Sequence, residues 1–247
     1  MTATNRVADT VIILIVLLLA WQALHQVVGA TALPSPVPTL AYLAKLLPSE
    51  RFAENAWATL VCFFYALILS YGIGLAIGVW MGIHRLSGAV GEPILISLYT
   101  LPKVTLYPVV LLIFGLSLSG RVTFGAMHGM LPVALLTMSA IRNIPPVYLK
   151  SARTLHLSQG QTILTVLFPA TLPEVVAGLR IGFTLTLLGV LLAEMFAAKH
   201  GLGSLIINAM QLLQAEEMIS VVLVLFAFAA LANALLLWIE HRLHRRV

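Results

Sequence analysis

Six long runs of apolar residues, separated by short polar stretches, limit most strongly what this chain can fold into. They cover residues 11–29, 56–83, 94–116, 122–141, 172–198 and 218–239. A helix needs about 20 predominantly apolar residues to cross a bilayer, so each run is a candidate span. Only 9% of the residues are charged, against about 25% in a soluble domain. We therefore predict an all-α membrane protein with about six transmembrane helices in a single domain, residues 1–247, which excludes a soluble enzyme and a nucleic-acid binder.

Two of the runs carry an ambiguity. The first has Arg6 before it and a small-x-small tripeptide, Ala30-Thr31-Ala32, after it, which is also the pattern of a cleaved signal peptide. We expect a retained helix, since Asp9 weakens the positive start and the run is long enough to span. The third run contains Pro102 and Pro108, which predicts a kink or a late start, because prolines are tolerated in membrane helices when neighbouring groups satisfy the freed carbonyls.

The basic residues predict the orientation, because cytoplasmic loops carry the excess of Lys and Arg. With the N-terminus inside, the cytoplasmic set has eight members and the external set has four. The cytoplasmic members are Arg6, Arg85, Arg142, Lys150, Arg153, Arg242, Arg245 and Arg246, and the external ones are Lys45, Arg51, Arg121 and Lys199. This distribution predicts that both termini are cytoplasmic.

The polar segment 142–171 predicts two short helices on the cytoplasmic side. Asn143 stands before two prolines, a typical helix start, and Ser158 with Gln161 forms an S-x-x-Q capping box for a second helix. We expect that helix to end before Pro169, and the fifth span to open at Leu172-Pro173. Connections between helices are usually about 2–8 residues long. A docking role for this helix pair is therefore one hypothesis, and an interfacial loop without a partner is the other.

Glycines in the second run predict a face for close helix packing. Gly74, Gly78 and Gly82 follow an i, i+4, i+8 spacing, so they lie on one side of a helix. Small residues at this spacing let the backbones of neighbouring helices approach closely in a membrane. We therefore expect this stripe to contact another span of a compact bundle, which says nothing about what passes through it.

Ionisable residues in the apolar runs are functional candidates, because charge is costly in a membrane. We consider Lys103, Arg180 and Glu194 for a translocation pathway or gate. The alternatives are an interfacial anchor for Lys103, snorkelling or pairing with an acid such as Glu92 for Arg180, and an end-of-helix carboxylate for Glu194.

Catalytic and metal-binding motifs are missing. The sequence has no phosphate-binding GxxxxGK[ST] loop, no HExxH and no GxSxG. Its one cysteine, Cys62, rules out an intrachain disulfide, and we predict no metal site and no cofactor bound by this chain. If the protein moves a solute uphill, the energy must come from an ion gradient or a partner. We favour a partner motor, because the sequence shows no convincing inverted repeat of an ion-coupled carrier.

Several collinear stretches resemble the permeases of binding-protein-dependent ABC importers, in the branch of nitrate, taurine, alkanesulfonate, bicarbonate and thiamine-precursor permeases. Residues 151–158 with 168–173 resemble the EAA loop of that family, and 33–36, 101–108, 113–116, 178–181, 193–195 and 201–203 match in order. The resemblance implies a permease homodimer in the bacterial inner membrane, two ATPase subunits that use ATP and Mg²⁺, and a soluble substrate-binding protein. It implies alternating access for a small solute, such as a sulfonate, nitrate or a small heterocyclic precursor.

The resemblance also assigns residues 145–173 as the segment that couples the permease to the ATPase. Its predicted coupling residues are Lys150, Ser151, Ala152, Arg153, Thr154, Leu155, His156, Ser158, Pro169 and Pro173. The chain departs from the family pattern at two of them, with Lys150 in place of a glutamate and His156 in place of a glycine. Histidine is among the residues enriched at positive φ, so we expect the turn to survive this second change.

Two other classes of function stay open on the sequence alone. One is a membrane anchor or assembly subunit that transports nothing. The other is an intramembrane enzyme that uses His128, the one histidine well inside a predicted span. Dependence of solute uptake on a separate ATPase distinguishes a permease from both.

Overall fold

The computed structural model describes residues 3–244, with side chains at positions 9, 12–196 and 198–242. Within these residues the chain is helical and contains no strand, which confirms the all-α prediction. The helices are α1 (Ala3–Val28), α2 (Pro36–Leu46), α3 (Glu50–Ile83), α4 (Arg85–Thr100), α5 (Tyr107–Phe114), α6 (Leu118–Arg142), α7 (Pro146–Thr154), α8 (Gln159–Thr162), α9 (Phe168–Ala197), α10 (Leu202–Gln211) and α11 (Ala215–His244). A 3-10 turn, Lys103–Leu106, precedes α5, and a π-helical turn, Ile163–Leu167, precedes α9.

Fewer helices than predicted qualify as simple spans. Among the described residues, four are long and apolar enough: α3, α6, α11 and the continuous stretch Gln159–Phe196. A fifth span results if the bent pair of α4 and α5 crosses once. The first predicted span forms α1, whose described apolar part, Ile12–Val28, is shorter than these four. Arg245 and Arg246, which contributed to the predicted orientation, lie outside the described residues.

The third predicted span, 94–116, is broken by a bend of 89° between Arg85–Thr100 and Lys103–Phe114. The cause is local. Leu101 is extended, with ψ 138°, because the residue before a proline avoids the helical region, and Pro102 offers no amide hydrogen for the ladder. Pro108 then stands in the first turn of α5, where its missing hydrogen costs nothing.

The fifth predicted span was placed too late. The structure has one continuous helical stretch from Gln159 through the π-helical turn and α9, so the helix that α8 begins continues past Pro169. Pro169 lies in the first turn of α9, and Pro173 lies inside the helix. The second short helix of the predicted docking segment is therefore the beginning of the membrane helix itself.

The core of the bundle is α6, which packs between α3 and α9. Small residues allow the close approach. A β-carbon on Gly74 would lie 2.7 Å from the carbonyl oxygen of Met130, and one on Gly78 would lie 2.7 Å from that of Ala134. These two glycines of α3 are buried and face the backbone of α6.

The third glycine of the predicted stripe, Gly82, faces a side chain of α6 instead of its backbone. It is only half-buried, whereas Gly74 and Gly78 are buried. A β-carbon on Gly82 would lie 2.9 Å from the β-carbon of Ile141 in α6. Its three nearest atoms would all belong to the Ile141 side chain. The reason is its position in the last turn of α3, one residue before the helix ends at Ile83. The close approach of the two backbones therefore ends before Gly82, and the helices are separated there by the Ile141 side chain.

The two ends of the bundle differ. The proximal end carries α7, α8 and the C-termini of α3, α6 and α11, and the distal end carries α2, α10 and the N-termini of α3, α6 and α11. At the distal end α2 packs across the beginning of α11, where the Ser220 hydroxyl donates to the carbonyl oxygen of Thr39 at 3.1 Å. A small apolar core that includes Leu46, Phe52 and Val221 fills the space between them.

Candidate functional site

The segment 146–167 at the proximal end is largely exposed. Helix α7 starts with Pro146 in its first turn. It ends in a Schellman motif, in which the Leu157 amide donates to the carbonyl of Ala152 at 3.1 Å and the His156 amide donates to that of Arg153 at 3.0 Å. His156 occupies the left-handed position with φ 52°. The turn predicted between two short helices is therefore present, with a histidine where glycine is the usual residue.

The capping box predicted for α8 is confirmed. The Ser158 hydroxyl accepts a hydrogen bond from the Gln161 amide at 3.3 Å, and the Gln161 side chain accepts one from the Ser158 amide at 2.9 Å. This reciprocal pair satisfies two amide groups that would otherwise lack partners at the helix start. The segment is consequently ordered by its own local contacts.

Most side chains of this segment are exposed, and Ala152 is its one buried residue. Ala152 is 2% exposed and packs inside the segment, whereas Leu155 and Leu164 are about 70% exposed. Lys150 and Arg153 are exposed as well, and residues 143–173 contain no Asp or Glu. An ordered apolar and basic surface that extends from a membrane bundle is suited to docking another protein.

Replacing His156 with glycine is expected to strengthen the turn slightly. A non-glycine residue in the left-handed region costs roughly 1–2 kcal/mol, and the extra backbone entropy of glycine offsets about 0.5–1 kcal/mol of that gain. His156→Val should weaken the turn, because a β-branched residue tolerates positive φ poorly. Hydrogen exchange at the Leu157 amide measures both effects.

The control for this prediction is His84→Gly, where φ is −91° and glycine relieves no strain. That variant should lose local protection. Slower exchange at Leu157 in the valine variant than in the parent would contradict the assignment of strain to His156.

The three charged pathway candidates do not come together. Arg180 donates to Glu240 at 2.8 Å and to Asn233 at 3.4 Å, which ties α9 to α11. The suggested pairing of Arg180 with Glu92 is wrong, because Glu92 pairs with Arg142 at 2.8 Å, close to the end of α6.

Lys103 lies in the 3-10 turn at the bend. Its ammonium group donates to the carbonyl oxygen of Tyr99 at 3.0 Å and sits 5.0 Å from the centre of the Tyr99 ring. It is half-buried. A cation held in this way at a broken helix can face a pathway, so a translocation role for Lys103 stays a prediction.

Glu194 is completely buried near the end of α9. One of its carboxylate oxygens, Oε2, accepts hydrogen bonds from the Thr59 hydroxyl at 2.8 Å and the Gly203 amide at 3.0 Å. The other, Oε1, has no hydrogen-bond partner within the described residues. The end-of-helix carboxylate considered from the sequence is thus inside the protein and joins three helices.

Sequence reasoning missed a second buried carboxylate at the distal end, Glu217, which is 2% exposed. It accepts from the Tyr42 hydroxyl at 3.1 Å and lies 3.1 Å from the Arg51 guanidinium. Burial, together with the charge of Glu217, raises the pKa of Tyr42. The partners are about 170 positions apart, so no local pattern could have indicated the contact.

Asn55 and Thr59 were missed as well. Their side chains bind the amides of Gly201 and Leu202, both at 2.7 Å. Two polar residues four apart at the start of an apolar run share one helix face, and that pattern could have singled them out. Across the described residues, the structure has no cluster of three or more His, Cys, Asp or Glu side chains suited to a metal ion.

Sequence comparison places the chain among membrane transport components. Residues 72–247 match the family described as "Binding-protein-dependent transport system inner membrane component". The taurine transport system permease protein TauC of Escherichia coli is 26% identical over 237 residues, covering 93% of this chain and 86% of TauC. The nitrate import permease protein NrtB of Synechococcus elongatus is 29% identical over 209 residues, covering 81% and 75%.

Structural comparison gives the same fold. The chain superposes on a subunit of the MetNI methionine ABC transporter in an inward-facing conformation, with a TM-score of 0.66. The match covers 84% of this chain and 98% of the other at 19% sequence identity. The arrangement of helices is therefore shared, although most of the side chains differ.

Proposed function

Because this chain belongs to the family of binding-protein-dependent transport system inner membrane components, we propose that it is the permease subunit of an ABC importer, driven by a separate ATPase that uses ATP and Mg²⁺. A soluble binding protein delivers the solute at the distal end. Two copies of the chain enclose the pathway, and both termini face the cytoplasm. The homodimer and this orientation are part of the proposal.

The single observation that carries the proposal is the segment 146–167. It is folded by its own cap and Schellman motif, exposes leucines and continues without a break into α9. A partner that grips this segment moves a membrane helix directly. In this proposal the coupling residues are those predicted from the sequence, residues 150–156 with Ser158, Pro169 and Pro173, and Ala152 supports the segment from inside.

The names of two relatives support a proposal for the class of solute. TauC is named for taurine, which carries a sulfonate group, and NrtB is named for nitrate. Both groups are planar or tetrahedral oxyanions. We propose a small oxyanion or sulfonate as the solute, with Lys103 at the helix bend as the basic residue that favours an anion.

The test is uptake by proteoliposomes that contain the permease and its cognate ATPase, with the binding protein outside. Radiolabelled taurine and nitrate are supplied in turn. We expect uptake of at least one of them that requires ATP, Mg²⁺, the ATPase and the binding protein, and that stops when AMP-PNP replaces ATP. Stable assembly with the ATPase and ATP hydrolysis without uptake of a solute that the binding protein retains would favour the non-transporting anchor instead.

A further inference from the structure

We propose that Glu194 is a positioning residue that latches the distal turn between α9 and α10 to α3, so that movement of α9 reaches the distal end of the bundle. This inference rests on the proposed function, since it concerns how motion at the segment 146–167 is transmitted. It assigns no substrate contact to Glu194. The latch is defined as Glu194, Asn55, Thr59 and the backbone of residues 201–203.

Four hydrogen bonds hold the latch together. The Thr59 hydroxyl donates to Glu194 and accepts from the Leu202 amide, and the Asn55 side chain accepts from the Gly201 amide. Glu194 itself accepts from the Gly203 amide. Three successive amides at the start of α10 are thus held by side chains of α3 and α9. These are amides that an isolated helix start leaves without partners.

The distal turn fits closely against the Glu194 carboxylate. Gly201 has φ 134°, a conformation that only glycine adopts readily. A β-carbon there would collide with the Glu194 carboxylate, lying 2.6 Å from each of its oxygens. Gly203 is equally tight, with a β-carbon position 2.5 Å from the carbonyl oxygen of Leu191. The turn is shaped around this carboxylate.

Most of the length of α9 separates Glu194 from the segment 146–167. From Phe168 to Glu194 the helix is uninterrupted, and 26 residues at about 1.5 Å each span roughly 39 Å. Glu194 therefore lies a full membrane thickness away from the docking segment, on the same rigid element. Burying a polar oxygen without a hydrogen-bond partner costs free energy, and Oε1 of Glu194 has none among the described residues, so this residue fits a role in positioning better than one in folding.

The experiment measures both ends of the bundle in the assembled complex with the cognate ATPase. Cys62, fully buried, is replaced by alanine, and a spin label is placed on Leu213→Cys at the distal end or on Leu86→Cys at the proximal end. These residues are 84% and 79% exposed. Distances between the labels of the two copies are compared without nucleotide and with AMP-PNP.

In the parent we expect AMP-PNP to shift both distances. In Glu194→Leu, which fills the space but accepts no hydrogen bond, we expect the proximal shift to remain. We expect the distal shift to be lost, because the distal turn is then no longer held to α9 by the carboxylate. Glu194→Gln keeps an oxygen for Thr59 and Gly203 and should restore the distal shift. The control is Glu216→Leu, an exposed acid at the same end.

A distal shift in Glu194→Leu equal to that of the parent overturns the latch. Failure of both Glu194→Leu and Glu194→Gln to assemble also overturns it, since the residue is then required for folding. If only the leucine variant fails, Thr59→Val decides in its place: a reduced distal shift supports the latch, and an unchanged one overturns it. A parent in which neither label moves contradicts the proposed function and removes the basis of the latch with it.

Discussion

Replacing Ala152 with glutamate is expected to abolish binding of the ATPase and transport while the membrane bundle stays folded. Ala152 is the one buried residue of α7, and its carbonyl closes the Schellman motif with Leu157. Placing an ionised carboxylate in that space costs several kcal/mol, so α7 must separate from the turn that follows it. Since 1.4 kcal/mol is a factor of ten, we expect ATPase co-purification and uptake to fall about tenfold or more.

The control is Ser151→Glu, which adds the same charge at the exposed neighbouring position. If packing inside the segment matters, only the Ala152 variant loses the ATPase. Equal losses in both would show that charge at this surface is responsible. Normal uptake and normal ATPase binding in Ala152→Glu would eliminate the assignment of 146–167 as the docking segment.

Replacing Gly129 with alanine is expected to cause the largest loss of stability. A β-carbon at this position of α6 would collide with the Thr186 hydroxyl and lie 2.5 Å from the Ser70 hydroxyl and 2.6 Å from the carbonyl oxygen of Gly182. Adding a methyl group to a filled core typically lowers the free energy of unfolding by about 1–3 kcal/mol. Because the added carbon would contact both neighbouring helices, we expect a loss at the upper end of this range for Gly129→Ala. For a chain of this length that lowers Tm by roughly 10 °C.

Cys62 makes this loss measurable, because the protein has a single cysteine and it is fully buried. A thiol-reactive fluorophore added during heating in detergent reports the temperature at which the bundle opens. Gly72→Ala is the matched control, since nothing lies within 4 Å of a β-carbon there. Equal melting temperatures for Gly129→Ala and Gly72→Ala would show that the helices relax around the added carbon without a loss of stability. Combining Thr186→Ala with Gly129→Ala should recover part of the lost stability.

The surroundings of Gly129 also account for two buried hydroxyl groups without conventional partners. Ser70 and Thr186 are fully buried, and their oxygens have no hydrogen-bond partner in the described part of the chain. Both lie close to the position that a β-carbon of Gly129 would take, an arrangement that suits weak Cα–H···O contacts between closely packed helices. The serine and threonine thus permit the same close packing as the glycine.

Features that depend on neighbouring residues were predictable from the sequence. The capping box joins Ser158 to Gln161, three positions away, and the apolar runs predicted helices because bilayer solvation depends on composition along one segment. The break at Pro102 was only partly predictable. Prolines indicated a kink, but an 89° turn depends on how α4 and α5 pack against other helices.

Contacts between distant residues were not predictable in the same way. Arg180 and Glu240 are 60 positions apart, and the sequence offered several acids as partners for Arg180. The latch around Glu194 joins Thr59 from 135 positions away. The glycine spacing predicted a packing face, but it could not show that the close contact ends before Gly82, where Ile141 intervenes. Such contacts depend on how whole helices pack against each other, and the spacing of residues along one segment does not give that information.

The π-helical turn Ile163–Leu167 lies where the docking segment joins α9. A π turn is an α-helix with one residue inserted. Deleting one residue there would restore a regular helix with the segment before it facing nearly the same way, whereas deleting one residue within the regular part of α9 would rotate that segment by about 100°. The direction in which the exposed leucines face therefore depends on the number of residues in the regular part of α9, and the π turn takes up one additional residue without redirecting them.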